Sequence, residues 1–418
     1  MAATLPDTSR LTFKTPKGLQ TTALVLIGLG VILTLIQILV PGWEAHHAVE
    51  AAGAAEAHGP SHLARMWMSI HLAVLVAFPL GVGGVFFSAI SHVAGARWAV
   101  TTRRLTENFF WYLAVPLLLM LVVFIGGIGD VFGHWVHAPA SDELIAHKSA
   151  WLNVPFFIVR NIGIVLVWFL FGFYLWKKSV SQDEDGAVSK SRSMANMSAL
   201  FLVVFGLSYS AHAFDLGMSL EPHWFSTLFA VYVFSGMALT TFAAIILWVS
   251  YLKSLGYFGD SLNENHFHDY GKYLFGFTIF WAYMAISQYM LIWYAGIPEE
   301  TGFFFVRTEG AWWYATIIMV ALRFVLPFFL LLKREVKRNY RYMQFVAVLI
   351  LIGQVVDMYV LAYPTLDHGH FIMLSWQEVG PLLFVAGAFI IITARALEKA
   401  PLVPLKDPRL EDCLHFHQ

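Results

Sequence analysis

Between residues 208 and 225 the chain carries Ser208, His212, Asp215, Ser219, Glu221 and His223, set between two long apolar runs. If Leu200 to Gly217 is helical, Ser208, His212, Asp215 and Ser219 recur at i, i+4, i+7 and i+11 and share one face. Four more ionisable side chains interrupt apolar stretches elsewhere: His71, Arg160, Arg323 and Asp357. A charge near the centre of a bilayer costs roughly 3 kcal/mol on insertion scales, so such a group is expected to face protein and to mark function. At 1.5 Å per helical residue, His71, Arg160, His212 and Asp357 lie roughly 8–10 Å from the outer edge of their runs, with Asp215 shallower. Arg323 is deeper, within reach of Asp357 on the following antiparallel helix.

Two kinds of chemistry suit this layer. Quinol oxidation needs a His or carboxylate to accept each proton, in an aromatic pocket that excludes water. The run holding Trp281, Tyr283, Gln288, Tyr289, Trp293 and Tyr294 could wall such a pocket, although aromatics near an interface also serve as belt or packing residues. A proton path would use the same titratable groups. In the structural alternative, Arg160 neutralises Asp215 and Arg323 neutralises Asp357, fixing helix register. His71 and His212 are also the one credible bis-His pair for a b-type haem, whereas a haem protein of this size usually offers two. Glu107 and Asn108, at the start of the third apolar run, read either as a proton entry or as a first turn favoured by the helix dipole.

The elements that hold these residues follow from composition. The 418-residue chain is 58% hydrophobic and 13% charged, with mean hydropathy +0.66; soluble domains carry about 25% charged residues. The expectation is an all-α polytopic membrane protein. A span needs about 20 mainly apolar residues, and ten segments qualify: 20–41, 65–91, 107–128, 153–176, 195–218, 224–252, 269–295, 311–333, 342–363 and 378–398. With both termini cytoplasmic, 21 of the 26 Lys and Arg fall on the inner side, three (Arg65, Lys148, Arg307) fall outside, and Arg160 and Arg323 lie within spans. That split follows the positive-inside rule.

One cysteine, Cys413, excludes a disulfide framework, Cys-ligated zinc or iron–sulfur sites and attached c-type haem. No basic run is interleaved with aromatics in the manner of nucleic-acid binders. No cleavable signal peptide is expected, because the first apolar run is too long for one. The outer loops are the chemically richer ones. Residues 42–64 hold His46, His47, His58 and His62, and residues 129–152 hold Asp130, His134, His137, Asp142, Glu143 and His147. Their spacing matches no helical zinc site. Ser179–Lys190 reads as a flexible charged linker, and no sequence repeat is evident.

Two long motifs carry a family resemblance: FDLGMSLEPHWFST at 214–227 and FWAYMAISQYMLIWYAGIPEET at 280–301. With Ala96-Arg97-Trp98 followed by Arg103, Arg104 and Glu107, the chain resembles the smaller of the two membrane subunits of bacterial alternative complex III across almost its whole length. That family is related to the polysulfide-reductase membrane anchor. The resemblance implies two four-helix bundles, 65–218 and 219–363, plus two peripheral helices in 20–64 and 364–398, between cytoplasmic ends 1–19 and 399–418. It implies a place in the bacterial cytoplasmic membrane within a respiratory quinol:electron-acceptor oxidoreductase. Its partners would be a larger quinol-binding membrane sister subunit, an iron–sulfur subunit, haem c subunits and a terminal oxidase. Quinol, menaquinol included, would be the ligand, with haem and iron–sulfur clusters held by the partners and none bound covalently here. The candidate residues for a proton path or quinone pocket are His71, Arg160, His212, Asp215, Arg323 and Asp357. Glu107, Asp130, Glu221, His223, Tyr283 and Gln288 form a second rank.

Two other readings stay open. A purely structural membrane scaffold needs only the ion pairs. A secondary transporter predicts helices broken near the midplane in matching halves, and Gly81–Gly84 after Pro79 offers one such break.

Overall fold

The computed structural model describes residues 11–39, 63–366 and 371–414, which form helices joined and flanked by irregular segments. The His46, His47, His58 and His62 loop lies outside the described residues. Among those described, ten helices are long and apolar enough to cross a membrane, and the chain is an all-α polytopic membrane protein. They are α1 (Lys17–Leu39), α2 (Ala64–Val93), α3 (Val100–Gly126), α4 (Val154–Asp185), α5 (Val188–Leu220), α6 (Phe229–Ser254), α7 (Glu264–Ala295), α8 (Trp312–Leu330), α9 (Tyr340–Thr365) and α10 (Trp376–Leu397).

The most buried spans, α2 and α6, lie against each other at the centre. Their contact depends on small residues. A Cβ on Gly83 of α2 would fall 1.8 Å from Thr241 Oγ1 of α6, and Thr241 Oγ1 donates to the Pro79 carbonyl at 3.0 Å. Close backbone approach of this kind drives helix association where lipid supplies no hydrophobic force. The expected break at Gly81–Gly84 is absent, and α2 runs through Pro79 without interruption. Those glycines admit neighbouring side chains, Leu113 at Gly81 and Phe109 at Gly84.

Around this centre α5 packs on α2 and α4, while α7 and α9 pack on α6. The peripheral helices stand together: α1 lies along α10, and α10 in turn rests on α2. A Cβ on Gly30 would come within 2.6 Å of the Phe384 backbone, and one on Gly387 within 2.7 Å of the Ala23 carbonyl, so the two helices touch backbone to backbone.

Two boundaries differ from the sequence expectation. The charged stretch 179–190 is helical almost throughout rather than a linker. Helix α4 continues to Asp185, Gly186 reverses the chain with φ +67°, and α5 resumes at Val188. A Lys190–Asp185 ion pair at 2.8 Å and a Gln182–Ser191 hydrogen bond at 2.7 Å fasten the hairpin. Helix α3 likewise starts at Val100 rather than 107. Glu107 is therefore not a first-turn residue; it closes the opening helical piece Val100–Glu107, which passes through a 3-10 turn at Phe109–Leu113 into Ala114–Gly126. The early start is possible because Arg103 and Arg104 find buried partners.

Candidate functional site

Two buried ion-pair clusters join neighbouring helices, one in each set of four. In the first, Arg160 of α4 meets Asp215 of α5 edge-on: Nε donates to Oδ2 at 2.7 Å and Nη2 to Oδ1 at 2.9 Å. Trp151 Nε1 adds a bond to Oδ1 at 2.9 Å, and Asn161 Nδ2 one to Oδ2 at 2.8 Å. A carboxylate offers about four lone-pair sites, so Asp215 is saturated. The guanidinium also lies over the Trp151 ring, 3.9 Å from its centroid. His212 Nδ1 sits 2.9 Å from Asn161 Oδ1, which makes the amide a bridge between imidazole and carboxylate. His71 Nε2 lies 2.9 Å from the Leu216 carbonyl, one residue beyond Asp215.

The second cluster repeats the plan. Arg323 of α8 faces Asp357 of α9, with Nε 3.2 Å from Oδ2 but out of line for a hydrogen bond. Among the described residues Asp357 receives two hydrogen bonds, from the Tyr232 hydroxyl to Oδ1 and from Trp281 Nε1 to Oδ2 at 2.9 Å. Arg323 sits in a π-helical turn, Ala321–Val325, a distortion that recurs at functional sites. Its Nη2 is buried without an acceptor among the described residues, in a gap that a Cβ on Gly236 would close to 2.8 Å. A Thr240–Gln354 hydrogen bond at 2.9 Å lies below it.

Asp357 also lines a cavity of about 350 Å³ that Asp215 does not share. Tyr232, Phe303, Phe304 and Met319 form much of its wall, while Tyr289 and Trp313 line it and are also 39% and 47% exposed, so it opens sideways from the helix bundle. Gln288 lines it as well, 5% exposed, and its Oε1 is buried with no donor among the described residues. The outer wall is the short helix Pro298–Thr308, flanked by left-handed Gly296 and Gly310. Arg307 fastens that helix: Nε donates to the Val360 carbonyl at 3.0 Å, and Nη2 donates to the Leu361 carbonyl at 2.7 Å and to Glu221 at 2.8 Å.

The remaining candidates fall elsewhere. Tyr283 is 62% exposed and does not line the cavity, and Trp293 and Tyr294 also face outward. His223 Nε2 lies 2.7 Å from Asp142 Oδ2, where the Ile145 backbone N–H holds the Asp142 carboxyl below the usual aspartate range. Asp130 is half-buried in the turn Ile128–Val131 and belongs to neither cluster. Glu107 lies at the opposite end of the molecule. There Arg103 bridges Glu107 at 3.1 Å and Asp407 at 2.5 Å, and Arg104 reaches Glu107 at 3.4 Å and Asp183 at 3.1 Å. His92 Nε2 is 3.5 Å from Glu107 Oε1.

Asn161, Trp151, Tyr232 and Arg307 are not among the residues expected from the sequence. A neutral Asn beside Arg160 in an apolar run was the one signal available. Trp151, Tyr232 and Arg307 look like ordinary interfacial residues until the fold brings them inward. Comparison of the chain with family models and with curated proteins finds no match.

Proposed function

We propose that this chain is an integral membrane subunit of a respiratory quinol:electron-acceptor oxidoreductase of the alternative complex III type, and that the cavity beside Asp357 receives the quinol headgroup. The observation that carries this reading is the contrast between the two carboxylates. Asp215 is saturated by four donors and closed off by protein, whereas Asp357 keeps unfilled acceptor sites and borders an aromatic cavity that opens sideways. A planar apolar ring with polar ends suits such walls, and Gln288 supplies a second polar group with an unmet hydrogen bond.

On this reading, Asp357 takes one proton as a quinol O–H bond breaks, and Arg323 compensates the charge it carries before that transfer. The second proton leaves to the outer aqueous phase, and the two electrons go to redox centres of partner subunits. Those partners are the larger membrane sister subunit, an iron–sulfur subunit and haem c subunits, assembled in a bacterial cytoplasmic membrane. The Asp215 cluster acts as a brace.

Turnover of the intact complex with quinol and its electron acceptor tests the reading. A positioned general base contributes about 10²–10⁴-fold, so Asp357→Asn should lower kcat by at least about tenfold while Asp357→Glu retains part of it. Full turnover in an assembled Asp357→Asn complex would rule the role out.

A further inference from the structure

The groove between α3 and α10, at the Lys- and Arg-rich end of the molecule, has no part in the quinol reading. It encloses about 290 Å³ and is lined by Trp111, Ile391, Ile392, Arg395, Ala396 and Lys399. We infer that it is a binding site for an anionic glycerophospholipid, whose phosphate meets Arg395 and Lys399 while an acyl chain lies on Ile391 and Ile392.

Three observations converge on that ligand. The first is charge. Two cations line the groove and no carboxylate does; Arg395 spends Nη1 on Glu398 at 3.0 Å, outside the lining. Lys399 rests on the Trp111 ring, with Nζ 3.6 Å from the centroid, and has no carboxylate within ion-pair distance among the described residues. An ammonium resting on an indole face is held over the groove yet keeps its donors for an anion. The second is the apolar part of the lining, because Ile391, Ile392 and Ala396 offer an acyl chain a hydrocarbon surface beside the two cations. The third is position. Trp111 packs in an aromatic group with Phe169, Phe173 and Trp176, at ring-centroid distances of 5.9, 6.3 and 5.7 Å. Such a group marks the level where headgroups meet acyl chains. Apolar residues one turn below paired cations, between two spans, make the arrangement in which phospholipid headgroups are held.

The site also has a structural consequence. Helix α10 carries α1 along its length, so a lipid seated between α3 and α10 would tie the peripheral pair to the first bundle.

The test uses the full chain, delipidated in detergent and given phosphatidylglycerol carrying a photoreactive acyl chain, with phosphatidylcholine and inorganic phosphate as competitors. Labelling of Ile391, Ile392 or Trp111 is expected, competed by unlabelled phosphatidylglycerol and not by phosphatidylcholine. Each cation near a membrane surface is worth about fivefold in affinity. Arg395→Gln with Lys399→Gln should therefore weaken labelling by more than about tenfold, and Trp111→Phe should weaken it less. A double variant labelled as well as the parent would overturn the assignment, as would equal competition by phosphatidylcholine. Competition by inorganic phosphate alone would make the groove an anion site and not a lipid site.

Discussion

Asp215 and Asp357 are the same residue type in the same kind of pair, yet they sit in opposite conditions. Four donors fix Asp215, so removing its charge leaves Arg160 buried and uncompensated beside Trp151. Breaking a buried ion pair costs roughly 3–5 kcal/mol. Asp215→Asn should accordingly lower the thermal midpoint of the purified chain clearly, whereas replacing an exposed carboxylate outside the helices, such as Glu309, should leave it unchanged; equal midpoints would show that the cluster is no brace. These pairings were legible in the sequence, because a lone Arg in an apolar run must meet an anion and only a few are available at its depth. The difference between the pairs was not legible. It depends on neutral donors, Asn161 and Trp151 on one side, Tyr232 and Trp281 on the other, whose types carry no sign of what they will face.

At the scale of elements, the ten spans could be read directly, since length and apolarity alone specify them. Several of their ends could not. Helix α3 begins early because the segment 401–414 folds back beneath it and supplies Asp407 to Arg103. That segment also places Leu402 N 2.8 Å from the Leu11 carbonyl and buries Cys413 against Trp98 and Thr101. Pairings between such distant parts of the chain leave no trace in local pattern.

The docked segment makes a further prediction. Burial works against ionisation of Asp407, and Arg103 overrides it, so the carboxyl lies below its usual range. A depressed carboxyl stabilises docking at pH above the unfolded aspartate value and loses that contribution as pH falls through the folded one. Burial meanwhile raises the Cys413 thiol pKa and covers it. A maleimide should react slowly with Cys413 at neutral pH and rapidly after Asp407→Asn, and amide exchange in 401–414 should speed up on acidification below the normal aspartate range. Fast labelling of the unaltered chain would contradict the docked arrangement.

For the whole molecule, the two sets α2–α5 and α6–α9 each place an Arg on their third helix against an Asp on their fourth. No sequence repeat announces this, since Arg160 and Asp215 are 55 positions apart while Arg323 and Asp357 are 34 apart; the α4–α5 hairpin accounts for much of the difference. The common plan has diverged at its most informative point, one pair sealed and the other opened to a cavity beside the helix Pro298–Thr308. The most direct test is photoaffinity labelling of the intact complex with an azido-quinone reduced to its quinol, followed by peptide mapping. Label is expected on Tyr289, Phe303, Phe304 or Trp313, displaced by excess quinol and diminished by Asp357→Asn. Label confined to other subunits, or label on these residues that excess quinol does not displace, would contradict it.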